Sequence, residues 1–190
     1  MACALRGLIL IFCSAALAAQ APPTSKTPPG LESAWDIAGV MRQIGENAGR
    51  MLPLLDQIDV KSWVERGASD TYIAQVESSR EQARAAVAGA NALAQNPEKL
   101  SASLELFFRV QALESMLASL AEGVRRYQGP SVAQGIGKAI RDSSANRNRL
   151  QQYLVNLAAE REQELQVMDR EAQRCRAIVT LPHANTGRKK

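Results

Sequence analysis

Apolar positions along this chain recur in alternating steps of three and four, the spacing that aligns side chains on one face of an α-helix. The cleanest run lies in residues 36–58, "DIAGVMRQIGENAGRMLPLLDQI", where Ile37, Met41, Ile44, Ala48, Met51, Leu55 and Ile58 form an unbroken seam. Gly39, Gly45, Gly49 and Pro53 lie inside the same run. An interior glycine costs about 1 kcal/mol relative to alanine and an interior proline about 3, so this helix must be held by its neighbours. Pro53 removes one backbone hydrogen bond and presses its ring toward the carbonyl of Gly49, which predicts a kink or a break. Gly45 and Gly49, four residues apart, offer a surface on which another helix can approach closely. Ser33, followed three residues later by Asp36, resembles a capping box and marks the start.

A second seam runs through Leu106, Val110, Leu113, Leu117, Leu120, Val124 and Tyr127, widened near its start by Leu100, Leu104, Phe107 and Phe108. "NPEK", residues 96–99, predicts its beginning, with Asn96 as cap, Pro97 in the first position and Glu98 in the first turn. The preceding helix, capped by Ser69 or Asp70 and running to about Ala94, has a thin face of Ile73, Val76, Ala83, Val87, Ala90 and Ala94. Its partner must therefore lie close. Residues 59–69 break the rhythm and read as a connector, with Trp63 folded against the end of the bundle.

Gly129 and Pro130 end the second seam, and Ser131 with Gln134 opens the last helical region. A single helix from there to Ile178 would be about 70 Å long at ~1.5 Å per residue, leaving Leu165, Met168 and Ala172 without partners. The polar stretch "RDSSANRNR", residues 141–149, predicts a break instead, with a short helix near 131–141 and a final one near 145–178. The expected fold is all-α: an antiparallel up-and-down bundle of four long helices plus a short connecting helix, over residues 33–179.

Composition adds compartment. Residues 1–19 place Arg6 ahead of an apolar run that ends in small residues, the layout of a secretory signal peptide. Cleavage after Ala18 or Ala19 leaves a proline-rich linker at 20–32 and a basic, disordered tail at 180–190. This points to a secreted or periplasmic protein with no membrane insertion once the leader is gone. Without Arg6 the 23 cations fall to 22 against 19 acids, and Arg188, Lys189 and Lys190 account for that whole excess. A balanced body of this kind carries no concentrated basic face for nucleic acid.

Chemistry is sparse. His183 is the sole histidine and lies in the tail, so zinc, di-iron, haem and serine-activating motifs are all missing. "GIGK" at 135–138 lacks the strand and spacing of a phosphate loop. Glu105, Glu114, Glu122, Glu160, Glu162 and Glu164 read as solvated faces, and no catalytic, cofactor or metal residue is assigned. Met41, Met51, Met116 and Met168 read as core filling. Cys175 reads as a small buried hydrophobe beside Met168, Ala172 and Val179, with an intermolecular disulfide as the alternative. The candidate contact residues are Trp35, Asn146, Arg147 and Cys175. The expectation is a non-enzymatic protein that binds a protein partner or forms a homo-oligomer. The alternative is a carrier of a small apolar ligand held among Phe107, Phe108, Met116 and Leu117.

Overall fold

The computed structural model describes residues 33–180; residues 1–32 and 181–190, on which the expected leader, linker and tail fall, His183 included, lie outside the described residues. Five helices form: α1 Ala34–Asp56, α2 Val60–Glu65, α3 Thr71–Gln95, α4 Leu100–Tyr127 and α5 Pro130–Thr180. Among the described residues there is no strand. α1 and α4 each pack on both α3 and α5, so the four long helices close a square. Their direction follows from paired side chains. Gln43 meets Asn146, Asn47 meets Asp142 and Leu54 meets Gly135, each step up α1 matched by an equal step down α5. Gly45 lies against Ala90 and the Leu55 carbonyl accepts from Arg80, an equally regular antiparallel register between α1 and α3. The bundle is therefore up-and-down.

α1 forms as its seam requires. The Ser33 hydroxyl accepts from the Asp36 amide, and all seven seam residues from Ile37 to Ile58 are buried. Pro53 does not end the helix, which continues to Asp56. The glycines serve packing: a Cβ on Gly45 would stand 3.2 Å from the Ala90 Cβ, so α1 and α3 touch almost backbone to backbone. That approach is what the alanine-rich face of α3 needs. The buried line on α3 is Val76, Ser79, Ala83, Ala86, Ala90 and Leu93, whereas Ile73 is exposed. Ser79 is tolerated there because its hydroxyl donates to the Gln75 carbonyl at 2.8 Å.

The short helix of the fold is α2, inside the stretch expected to be a plain connector. Asp59 Oδ1 accepts from the Ser62 amide and starts it. Trp63 is fully buried at the bundle end, stacked on Tyr127 at 5.8 Å and edge-on to Tyr72 at 5.5 Å. Gly123 on α4 makes room for that ring, since a Cβ there would lie 2.9 Å from Trp63.

α4 begins at Leu100 rather than at Asn96, which instead closes α3. The Pro97 carbonyl accepts from the Ser103 hydroxyl and from the Tyr153 hydroxyl, both at 3.2 Å, which holds residues 96–99 as a turn between the helices. The second seam from Leu106 to Val124 is buried as expected, but Leu104 and Phe108 are exposed because they lie on the side of α4 turned away from α3 and α5.

The expected break in 141–149 does not occur: α5 is one helix of 51 residues, about 76 Å long. The polar residues of this stretch do not turn the backbone, because Ser143 and Arg147 sit on the buried heptad itself while Arg141, Asp142, Asn148 and Arg149 face outward. Ile136, Ile140, Ser143, Arg147, Leu150, Leu154 and Leu157 follow one another in steps of four and three, facing α1 and α4. Lys138 pairs with Asp142 one turn on, the Ser144 hydroxyl donates to the Arg141 carbonyl, and Asn146 donates across to Gln43 of α1, so these polar groups find partners without a break in the helix.

Candidate interaction surface

α5 outruns the bundle. The Glu114–Arg147 pair sets its alignment with α4, and equal steps from that pair bring Leu100, the first residue of α4, opposite Arg161. There the Arg161 guanidinium meets Glu98 of the α3–α4 turn at 3.1 Å. On the α1 side the same counting carries Ala34 opposite Val155. Among the described residues nothing lies beside α5 after Arg161, and every residue from 162 to 179 is exposed. This projecting part is about 27 Å long at ~1.5 Å per residue.

It is not a polar rod. Leu165 is 64% exposed, Met168 63%, Ile178 68% and Val179 82%. Leu165, Met168, Ala172, Cys175 and Val179 keep the steps of three and four, on the same side of α5 that buries Leu154 and Leu157 further back. A helix-packing face continues past the point where its packing partners stop. Beside it Glu160, Gln163, Glu164, Val167 and Met168 line a shallow apolar groove. The expectation that Met168 and Cys175 are buried is thereby corrected: Cys175 is a free, exposed thiol, because the helices that would have covered it end some 14 residues earlier.

Charge is distributed unevenly along the projection. Residues 162–171 hold Glu162, Glu164, Asp169 and Glu171 against Arg170 alone, and residues 172–179 hold Arg174 and Arg176 with no acid. Within the helix Arg161 pairs with Glu164 at 2.7 Å, which raises the guanidinium pKa, and Asp169 accepts from Gln173 at 2.9 Å.

The remaining candidate residues belong to the body of the bundle. Asn146 donates to Gln43 at 3.1 Å, and Arg147 binds Glu114. These two stand together by sequence, about 42 Å along α5 from Cys175. Trp35 falls in the first turn of α1, and its side chain lies outside the described residues. Glu114 was expected on a solvated face. It is instead 5% exposed, with one oxygen on Arg147 and the other without a hydrogen-bond partner among the described residues. Sequence reasoning had a signal for this: Val110, Glu114, Leu117, Ala121 and Val124 form one stripe of α4. Glu105 and Glu122 are exposed, paired with Arg109 and Arg125.

Phe107, Phe108, Met116 and Leu117 do not converge on one cavity. Leu117 is buried in the core while Phe108, nine residues earlier and so on the opposite side of α4, is 61% exposed. Tyr153 has a raised pKa, first through burial and then through the nearby Glu98 carboxylate, so its hydroxyl stays protonated and donates to Pro97. The Lys138 hydrogen bond lowers the pKa of Asp142 on the outer face of α5. Among the described residues no three of His, Cys, Asp or Glu gather to hold a metal ion, and no helix is long and apolar enough to cross a membrane. Compared with protein-family models, with curated proteins and with solved structures, the chain has no significant match in any of the three.

Proposed function

We propose that this chain is an exported, non-enzymatic helical-bundle protein that acts by binding protein through the projecting part of α5. One observation carries the reading: beyond Arg161 a helix keeps the apolar spacing of a packing face while exposing it entirely. A contiguous exposed apolar surface of this kind marks an interaction site more often than an idle one. The body of the bundle supports the same reading, since its buried acid Glu114 is engaged with Arg147 and its buried Ser79 and Ser103 bond back to the main chain. Export rests on the leader-like residues 1–19.

A photo-reactive amino acid placed at Met168, and separately at Gln111 on the exposed side of α4, tests the reading in producing cells. The expected result is a protein adduct from Met168 and none from Gln111. Absence of any adduct from Met168, or equal adducts from both positions, contradicts it. N-terminal sequencing of the same material is expected to start near Gln20, and an intact Met1 removes the export claim.

A further inference from the structure

We infer that the occupant of the projecting face of α5 is a second copy of this chain, docked antiparallel along residues 165–179. The inference rests on the reading above and adds the partner and its orientation. In the seam, Leu165, Ala172 and Val179 occupy one heptad position and Met168 and Cys175 the other. An antiparallel pair centred between Ala172 and Cys175 sets Met168 against Val179 of the second copy and Ala172 against Cys175 of the second copy. Symmetry repeats both layers.

Charge selects this orientation. The positions flanking the seam next to Met168 and Cys175 are Asp169 and Arg176. Antiparallel helices bring such positions against each other, so Asp169 faces Arg176 of the second copy, twice per dimer. A parallel pair would instead set Asp169 against Glu164 of the second copy, two like charges that offset its Glu171–Arg176 attraction, so only the antiparallel pair gains a net attraction.

The bundle body selects it too. The exposed seam lies on the side of α5 that α1 and α4 cover before Arg161. A second copy approaching in parallel would bring its own α1 and α4 toward the same side, so the two bodies would collide. An antiparallel copy points its body away. Its Thr180 comes opposite Val167, about 9 Å short of the end of the bundle at Arg161, so the projection is long enough to receive it.

This arrangement also says what Cys175 does not do. The two copies of Cys175 are offset by three residues, about 4.5 Å along the axis in addition to their separation across the seam, beyond the ~7 Å Cα limit for a disulfide. Ala172 is the position that faces Cys175.

The test uses the purified exported chain. Sedimentation at rising concentration is expected to show a monomer passing to a dimer. Under mild oxidation the wild type and A172C/C175A are expected to run as monomers on a non-reducing gel, and A172C as a linked dimer. D169R is expected to weaken the dimer by about tenfold and D169R/R176D to restore it. A monomer at every concentration overturns the inference, as does a linked dimer of the wild type or of A172C/C175A, which would report parallel helices. A Met168 photo-adduct to a different protein from a chain that stays monomeric also overturns it while leaving the proposed function standing.

Discussion

Glu114 of α4 and Arg147 of α5 form an ion pair inside the bundle, 33 residues apart in sequence, with the carboxylate almost wholly buried and the guanidinium about a quarter exposed. Removing one partner strands a charge in a low-dielectric site, whereas replacing both by apolar groups of similar volume strands none. R147M is therefore expected to cost about 3 kcal/mol, near the low end for a broken buried pair because Arg147 reaches solvent. The double change E114L/R147M is expected to lie close to the wild type. Urea unfolding of the three proteins measures both values, and equal losses in the single and double variants would speak against the buried-charge explanation.

Two glycines of α1 should respond in opposite ways. A Cβ on Gly39 would meet only the end of the flexible Arg42 side chain at 3.9 Å, so G39A is expected to gain about 0.5–1 kcal/mol from backbone entropy. At Gly45 the neighbour is the Ala90 Cβ at 3.2 Å, with the Val87 carbonyl behind it. G45L must push α3 away and is expected to lose about 1–3 kcal/mol. Thermal unfolding followed by circular dichroism distinguishes the two.

How much of this was legible in the sequence differs from helix to helix, and the reason is physical. α1 and α4 announced themselves because large apolar residues fill every seam position but Ala48, from Ile37 to Ile58 and from Leu106 to Val124. The line on α3 was read only in part because Ser79 interrupts it and Ala86 contributes little hydrophobicity. The break expected in α5 came from treating Ser143 and Arg147 as loop formers, when their spacing places them on the buried heptad. A polar residue at a seam position is ambiguous until its partner, here Glu114, is known from a distant part of the chain. The projection was legible as a consequence and rejected as unfavourable: one long helix exposes Leu165 and Met168, a cost that a single sequence cannot show to be recovered in an assembly.

Alkaline pH should weaken the fold through Tyr153. Burial raises its folded pKa above the ordinary 10.0, so the folded state holds the phenol proton more tightly than the unfolded chain does. Stability from this group is complete below about pH 10 and declines as pH rises from the unfolded toward the folded pKa. Y153F is expected to abolish that decline and, by losing the hydroxyl that donates to Pro97, to cost about 1 kcal/mol at neutral pH. Denaturant midpoints at pH 7 and through pH 9–11 check both parts.

Apolar residues on the two parts of α5 should carry different burdens. L157A empties a fully buried site and is expected to lose about 2–5 kcal/mol in the monomer. L165S and M168S alter exposed positions and are expected to change monomer stability by no more than about 0.5 kcal/mol, their effect appearing in association instead. Dilute-solution unfolding combined with sedimentation separates the two effects.

Amide hydrogen exchange along α5, followed as the chain is concentrated from dilute solution, tests the central claim most directly. Residues 133–157 are expected to be protected at every concentration because α1 and α4 cover them, while 162–180 exchange fast in the dilute monomer and become protected on association. Strong protection beyond Arg161 in the dilute monomer, or no gain there at any concentration or with cell extract added, would contradict a packing face held open for a protein partner.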